Sequence, residues 1–513
     1  MTDQDNQVPT DASAQPPNEP PGESTHDAPI EAPVEEKSVI QNSSDPLPYH
    51  LAIRDYLIEN EKQVWDWFVK HKPAQKKQTK SEQPSDESNK NKTTNRQSEA
   101  IRLDLLKRTY RVDREAQPDI YKLASEVAAQ LDMDVPVTIY QAQNPIGLNA
   151  SLAYIPGEAH IVLHGPISTQ LSPLEQRALL AHELGHLLLL DQSSNEILVT
   201  EQVLSAMTHD QNADLSHLNT ARLFGLYTEV FCDRVALRVV NDPYVVISML
   251  VKVVTGIEDV DAKSYLKQAK EIMTAGTITS EGISHPESYI RALVTHLWHE
   301  KGDAAKDEVE ALIAGNPALD DLDVLARQKL VGFTKDLIDV TLAPKWTQTD
   351  IMLSHAKLFF DGYKPPKTTS RSKKDSAKKD SAKKSDETLP GETQVKEKKT
   401  KYTLDKIKSA TQTATAIEKL RSQISIRHQS VQDYFCFILL DFAASDKDLE
   451  EAALAHTLDV AEQLGLGKRF SELATKELRL RKKQLEKISK DRMILIEAAV
   501  KESVTSSSSE AQK

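Results

Sequence analysis

The sequence predicts an α+β fold that is mostly helical, with a small β-sheet and an appended all-α domain at its C-terminal end. Three observations predict it. Apolar residues surround a few polar ones over Pro173–Leu190 and Leu226–Leu237, which is typical of helices buried on most sides. Residues Tyr154–Leu163 carry Pro156-Gly157 before a β-branched run, a pattern that predicts a hairpin. Helical periodicity returns between about Tyr402 and Val500.

The N-terminal part of the chain is predicted to contain little packed structure. Residues 1–45 are rich in Pro, Ser and acidic residues and have neither a basic start nor an apolar core. They therefore indicate a disordered acidic tail and not a signal peptide. Residues 46–71 supply an apolar face at helical spacing, which predicts an amphipathic helix packed on the body. Residues 72–97 lack periodicity and are predicted to be a linker.

The first buried helix contains the pentapeptide His182-Glu183-Leu184-Gly185-His186. Residues four apart on a helix lie one above the other, so His182 and His186 point their imidazoles at one place, with Glu183 beside them. Such polar groups are costly to bury among leucines unless they have partners. The pattern predicts a catalytic zinc site with one zinc ion per chain, in preference to two hydrogen-bonded core histidines. Ser172-Pro173-Leu174-Glu175 has the cap, the proline and the acid expected where the helix begins.

A third metal ligand is predicted on the second buried helix, because a catalytic zinc takes three protein ligands and leaves one position for water. Glu229 and Asp233 are four apart on one face of that helix. We predict that Glu229 is the ligand and that Asp233 holds a ligating imidazole in its tautomer. The alternative is an ordinary acid pair on a solvated face. Rival ligands are Cys232 on the same helix and, in the polar connection before it, His209, Asp210, Asp214 and His217.

Beyond residue 362 the sequence predicts a linker, a helical domain and a tail. Residues 363–402 form a basic Lys/Ser linker with a doubled Lys-Lys-Asp-Ser-Ala unit, and a soluble spacer is expected because no aromatic residue interrupts it for stacking on bases. Residues 403–500 are the helical C-terminal domain, and residues 501–513 a disordered tail. Acids from Asp446 to Asp448 precede a helix, where capping is expected and not a metal site.

These motifs together resemble a known family. An HExxH helix followed by a helical ExxxD is similar to the gluzincins of metallopeptidase family forty-eight, which include the HtpX heat-shock protease and the CaaX prenyl protease. Asn149-Ala150 with the later Pro-Gly turn resembles the family's Asn-Ala strand, and His285-Pro286 with Arg291 resembles its His-Pro and trailing Arg. The resemblance covers about Pro118–Thr295. It implies that residues 98–362 are a zinc metallopeptidase domain with a gluzincin core.

The resemblance also implies roles for the residues around the zinc. The strand through Asn149 and Ala150 would pair with an extended substrate backbone. His285 would face the zinc and steady the oxyanion, and Arg291 would pair with a buried acid near the site. From the residues alone, Asn149 satisfying a local turn and His285 as a hydrogen-bonding loop residue stay open. The C-terminal helices resemble tellurite-resistance B-like domains, in which an acidic turn joins two helices.

Composition limits the surroundings and partners of the protein. The 513 residues have room for two or three domains, but 39% hydrophobic and 27% charged residues indicate that much of the chain is solvated. No stretch approaches about 20 apolar residues, so no transmembrane segment is predicted, unlike in the HtpX and prenyl-protease relatives. Two cysteines favour a reducing cytoplasm over a secreted disulfide framework, and the sequence as a whole looks bacterial. A net charge of −13 disfavours nucleic acid as the main partner.

The sequence thus predicts a soluble zinc-dependent endopeptidase that acts on peptides or unfolded proteins. Zinc lowers the pKa of a bound water to about 7, so Glu183 can take its proton and later deliver it to the leaving amine. The alternative is a non-catalytic adaptor that keeps a structural zinc and acts through its C-terminal helices. Structural sites close all four positions with Cys or His, whereas two His and one Glu leave one position open, which favours the enzyme.

Overall fold

The computed structural model describes residues 45–71, 87–143, 147–191, 195–210, 212–275, 288–366 and 413–510. Within these ranges the protein is mostly helical and has one four-stranded sheet, which confirms the predicted mostly helical α+β class. The predictions for residues 1–44, for residues 367–412 and for His285 lie outside the described residues. No described helix combines the length and the apolar character needed to cross a membrane.

The described helices form two large hydrophobic cores and two smaller clusters. Those that precede the second core are α1 (Pro48–Asn60), α2 (Lys62–His71), α3 (Glu87–Arg108), α4 (Pro118–Gln130), α5 (Ile167–Gln170), α6 (Pro173–Asp191), α7 (Glu196–Thr208), α8 (Leu215–Val240), α9 (Pro243–Thr255), α10 (Ala262–Ala275), α11 (Ser288–Lys301) and α12 (Lys306–Ala314). Those that contribute to the second core or follow it are α13 (Val324–Thr341), α14 (Asp350–Phe359), α15 (413–424), α16 (Gln429–Ser445), α17 (Glu450–Gln463), α18 (Gly467–Glu477) and α19 (Lys482–Glu510).

The predicted amphipathic segment 46–71 forms two helices, α1 and α2, which meet at Glu61. Helix α1 packs against α8: the ring of Tyr49 stacks on Tyr227 at 4.3 Å, and its hydroxyl donates to Asp323 at 2.6 Å. His50 of α1 is buried, and its Nε2 lies 3.3 Å from the hydroxyl oxygen of Thr228 on α8. Helix α3 already begins at Glu87, inside the segment predicted as a linker.

The sheet contains β1 (Thr109–Arg111), β2 (Val137–Ala142), β3 (Asn149–Ile155) and β4 (Glu158–His164) in the order β1-β2-β4-β3. Strands β2 and β4 are parallel, and the other two pairs are antiparallel. The pairing of β3 with β4 confirms the predicted hairpin, and Gly157 turns the chain with φ of +75°. Because β3 is at the end of the sheet order, one side of its backbone has no neighbouring strand among the described residues.

Helix α6 lies under the sheet, in the first core. Its start follows the predicted capping pattern: the Ser172 N–H donates to the Glu175 carboxylate at 2.8 Å, and the Glu175 N–H donates to the Ser172 hydroxyl at 3.3 Å. Ser248 and Lys252 of α9 also donate to Glu175, at 2.6 and 3.0 Å. The first core packs the inner face of the sheet against α4, α6, α7, α8 and α11.

The second core joins the C-terminal helices to α13 and α14. Leu337 and Ile338 of α13 and Met352 of α14 are buried with Phe435 and Phe442 of α16. Helix α13 begins in the first core, where Val324 is buried, so this one helix belongs to both. In the acidic turn between α16 and α17, the buried Asp446 accepts hydrogen bonds from Thr349 at 2.7 Å and from the Asp448 N–H at 3.1 Å. Those two donors contact different oxygens of the carboxylate.

Candidate metal centre

Helices α6 and α8 bring the two histidines of the HExxH motif to Glu229. The His182 Nε2 atom is 3.4 Å from one Glu229 oxygen, and the His186 Nε2 atom is 3.7 Å from the other. The approach depends on Gly185: a Cβ atom there would lie 3.2 Å from the Cα of Cys232 and 3.3 Å from its sulfur. A glycine at this position therefore lets the two helix backbones come close enough for their polar side chains to meet.

The spacing of these atoms suits ligands of one metal ion. Two ligands bound tetrahedrally to zinc at about 2.1 Å are separated by roughly 3.4 Å. The His182–Glu229 and His186–Glu229 separations of 3.4 and 3.7 Å fall near that value. His186 and Glu229 keep 23% and 20% of their side-chain surface exposed, whereas His182 keeps 7%. The centre is therefore accessible from the side of His186 and Glu229.

Asp233 orients the first imidazole. Its Oδ1 lies 3.0 Å from the His182 Nδ1 atom, and both residues are buried. With Nδ1 bound to Asp233, the Nε2 atom is the one that faces Glu229 and that would bind a metal ion once its proton is lost. This is the outer contact that typically fixes the tautomer of a metal-ligating histidine.

Arg291 of α11 connects the two acids of α8. Its Nε and Nη2 atoms donate to the two carboxylate oxygens of Asp233 at 2.6 and 2.7 Å. Its Nη1 atom lies 2.8 Å from a Glu229 oxygen. The guanidinium is buried and holds both carboxylates in place with a bidentate and a single contact. The predicted pairing of Arg291 with a buried acid is therefore present in the structure.

The centre contains three carboxyl groups and one guanidinium. The carboxylates of Glu183, Glu229 and Asp233 face the single guanidinium of Arg291, which leaves two negative charges uncompensated when all are ionised. A divalent metal ion would balance them. Without one, the protein balances charge with protons: burial alone would lower the pKa of His182, but hydrogen bonds to the two α8 acids raise it to about 10. Metal binding must therefore displace a proton from His182.

Glu183 and His186 titrate differently from His182. Burial raises the pKa of the Glu183 carboxyl to about 7, and the neighbouring His182 only partly offsets this. Burial lowers the pKa of His186 to about 4, so this imidazole is neutral at pH 7. Burial would also raise the pKa of Glu229, but Arg291 and the histidines hold it well below its usual range. An ionised Glu229 and a neutral His186 are the forms that bind metal.

Cys232 is the rival for the third ligand position. Among the described residues, one potential ligand atom from each of His182, His186 and Cys232 lies within 4.8 Å of the others. The sulfur, however, packs against the backbone of Gly185, and burial raises the pKa of the thiol well above its usual value. Glu229 does not belong to that group, but its two oxygens lie 3.4 and 3.7 Å from the imidazole nitrogens and its pKa is held low. Both side chains therefore stay candidates for the third ligand.

The other predicted ligands form local hydrogen bonds or lie outside the group of possible metal ligands. Asp214 caps α8 by accepting from the Ser216 N–H at 2.8 Å, and Asp210 accepts from the Asn212 N–H at 2.9 Å. Within the described parts of the chain, neither acid belongs to a group of side chains that can hold a metal, nor do His209 and His217.

The predicted substrate residues lie on the edge strand. Asn149 and Ala150 begin β3, opposite His164 and Leu163 of β4. The Asn149 side-chain oxygen accepts from the Ala150 N–H at 2.9 Å, which is the local contact expected of a turn residue. Asn149 thus has the local role, and the pairing of β3 with a substrate stays a prediction.

Sequence reasoning missed a second polar cluster, on the same edge strand. The Tyr154 hydroxyl donates to Asp191 at 2.7 Å and accepts from the Asn195 side chain at 3.1 Å. Asp191 ends α6, and Asn195 precedes α7 with a left-handed φ of +63°. The sequence signals were weak: one tyrosine in an alternating strand and an asparagine before a helix.

This arrangement of two imidazoles and a carboxylate could hold a metal ion, and comparison with known proteins gives a distant metallopeptidase relative. The chain is 28% identical over 204 residues to the plastoglobule-localized metallopeptidase 48, chloroplastic, of Arabidopsis thaliana. That alignment covers 35% of this chain and 56% of the relative, so the chain spans little more than half of that protein. No protein-family model and no solved structure matches the chain. The likeness supports a metal-dependent peptidase in general terms.

Proposed function

We propose that this protein is a zinc-dependent endopeptidase, similar to the gluzincins of metallopeptidase family forty-eight, with peptides or unfolded proteins as substrates. The observation that carries the proposal is the convergence of His182, His186 and Glu229 at 3.4 and 3.7 Å, beside the buried Glu183. The distant metallopeptidase relative supports the reaction class. Zinc is proposed because two imidazoles and one carboxylate are a common catalytic zinc set.

In this proposal His182, His186 and Glu229 would hold the ion. A zinc ion bound there would polarise the substrate carbonyl and lower the pKa of a water molecule. Glu183 accepts a proton from the attacking water at a carboxylate oxygen and donates it to the departing amine nitrogen as the peptide C–N bond breaks. Glu183 can do both because its carboxyl group is buried beside the centre, next to the proposed ligand His182. Asp233 and Arg291 keep the ligands oriented.

The edge of β3 is the proposed binding surface for substrate. A peptide bound in extended form would add a strand beside β3 through main-chain hydrogen bonds, which give affinity with little side-chain selectivity. Asn149 and Ala150 are at the beginning of this strand, and pairing at Ala150 requires the Asn149 side chain to release the Ala150 N–H. The proposal assigns no role to His285 beyond the one that the resemblance implies, stabilisation of the oxyanion.

The test is a comparison of wild type with Glu183→Gln. The variant should bind one zinc per chain with unchanged affinity but lose peptidase activity on casein, because an amide neither accepts nor returns the proton. A matched control is Glu175→Gln, which changes another buried glutamate of α6 at the far end of the helix and should stay active. A chelator should abolish wild-type activity, and added zinc should restore it. Full activity in Glu183→Gln, or a zinc-loaded wild type that cleaves nothing, would defeat the proposal.

A zinc-stabilised adaptor is the second candidate. It is favoured by the proximity of Cys232 to both histidines, since four protein ligands would close the site and leave no position for water. In that case Cys232→Ala would lose zinc, and the wild type would bind casein or other partners without cleaving them. Retention of zinc by Cys232→Ala together with hydrolysis by the wild type excludes it.

A further inference from the structure

Tyr154, Asp191 and Asn195 form a polar cluster that joins three elements near the proposed substrate site. Tyr154 is on the edge strand β3, Asp191 is the last residue of the ligand-bearing helix α6, and Asn195 directly precedes α7. The Tyr154 hydroxyl donates to the Asp191 carboxylate at 2.7 Å and accepts from the Asn195 amide at 3.1 Å. One hydroxyl thus links the edge strand to both helices.

The conformation of Asn195 indicates that its side chain matters. Its backbone is left-handed, with φ of +63° and ψ of +27°, although the residue is 1% exposed. Glycine adopts this conformation at lower cost. An asparagine at this position is more strained in its backbone but provides a side-chain carboxamide. That carboxamide donates to Tyr154, which contacts Asp191 five residues beyond His186 on α6.

We propose that Tyr154 is a positioning residue that fixes the edge strand β3 against α6, so that an extended polypeptide paired along β3 is presented to Glu183 in one register. The inference rests on the proposed peptidase function. From Asn149 to Tyr154 the strand spans roughly 17 Å, about five residues of a paired substrate. The Tyr154–Asp191 bond therefore secures one end of that span directly to the helix that carries His182, Glu183 and His186.

The substitution Tyr154→Phe removes the hydroxyl and keeps the ring, which packs on the first core. Its matched control is Asp191→Asn, whose side-chain oxygen still accepts from the Tyr154 hydroxyl. Both are made in the zinc-loaded Glu183→Gln full-length protein, so that binding can be measured without turnover. The probe is fluorescein-labelled casein, an extended chain, followed by fluorescence anisotropy. Zinc content and the urea midpoint of unfolding are measured on the same samples.

Tyr154→Phe should lower the affinity for casein by about fivefold or more. This magnitude corresponds to the loss of one hydrogen bond to a charged group, here the bond from the Tyr154 hydroxyl to the Asp191 carboxylate. Zinc content should remain at one per chain, and Asp191→Asn should bind within about twofold of its parent. In the otherwise wild-type enzyme, Tyr154→Phe should raise KM for casein more than it lowers kcat.

Several outcomes would overturn this inference. They are unchanged casein affinity in Tyr154→Phe, equal losses in both variants, a loss that follows zinc content or the unfolding midpoint, and a parent protein that binds no casein. Failure of the proposed function gives a different result. In that case the wild type with its zinc fails to cleave casein, while the anisotropy measurements still report whether Tyr154 controls binding.

Discussion

Asp233→Asn tests the metal centre directly, because Asp233 contacts both the proposed ligand His182 and the buried guanidinium of Arg291. The substitution keeps the size of the side chain and removes its charge. One carboxamide oxygen replaces two carboxylate oxygens, which now accept from Arg291 at 2.6 and 2.7 Å and contact His182 at 3.0 Å. The carboxamide nitrogen must then face a donor of Arg291 or His182.

Two separate losses follow from this geometry. Arg291 is 4% exposed and would keep only Glu229 as an anionic partner, and breaking a buried ion pair costs about 3–5 kcal/mol. The zinc affinity should fall by about 10- to 100-fold, because His182 loses the group that orients it. The second loss corresponds to about 1.4–2.7 kcal/mol of binding free energy. The first loss should appear in the metal-free protein, and the second only in zinc binding.

The assay therefore separates stability from affinity. Urea unfolding in the presence of a chelator measures the first loss, and competition with a chromophoric zinc chelator measures the second. Glu175→Gln is the matched control, because Glu175 is also a buried acid bonded to a cation, Lys252 at 3.0 Å, but lies at the other end of α6. This control should lose stability and keep zinc affinity.

If Asp233→Asn binds zinc within about twofold of wild type, Asp233 does not orient His182. If the metal-free variant unfolds at the wild-type urea concentration, the contacts of Asp233 with Arg291 contribute nothing measurable to stability. Equal losses of zinc affinity in Asp233→Asn and Glu175→Gln would assign the effect to general destabilisation.

Three further predictions concern Cys232, His50 and Gly165. Cys232→Ala should keep one zinc per chain, because burial holds the pKa of the thiol well above its usual value whereas the Glu229 carboxylate is ionised, and loss of the metal would identify the thiol as a ligand. Burial, with a nearby arginine, lowers the pKa of His50 to about 3, below the value of about 6.5 in an unfolded chain. The stabilising contribution of the neutral imidazole is therefore complete above about pH 6.5 and is lost as the pH falls. From pH 7 to pH 5 the free energy of unfolding of the wild type should decrease by about 2 kcal/mol more than that of His50→Gln. Gly165→Ala should destabilise the protein by several times the ~1 kcal/mol expected for Gly157→Ala. Both glycines have a left-handed φ, but an added Cβ atom collides with a carbonyl oxygen at Gly165 and meets nothing at Gly157. Equal urea midpoints of the two variants would contradict this.

The elements predicted correctly from the sequence carry local signals. Helix α6 has its capping pattern at Ser172 and its unbroken apolar flanks, and the hairpin has its turn at Gly157. The placement of Glu229 next to His182 follows from two buried helices with polar residues at matching spacing. These features depend on residues close together in the sequence or on strict periodicity, so a single sequence contains them.

The features that the sequence could not predict depend on distant contacts. Strand β1 has three residues, too few for any alternation, and it exists because Thr109–Arg111 pair with β2. The contacts of Arg291 with Asp233 and Glu229 form only when α11, more than 50 residues further along the chain, packs against α8. The link from Tyr154 to Asp191 is likewise formed only after the sheet packs on α6.

Helix α13 makes the two halves of the molecule hard to separate. Its first residue is buried in the first core, and its last turns, with α14, fill the second. A fragment ending at residue 362 would leave Leu337, Ile338 and Met352 without their C-terminal partners and expose an apolar surface to water. Attempts to isolate the metal-binding half should therefore end before Val324, and fragments cut between α14 and α15 should aggregate.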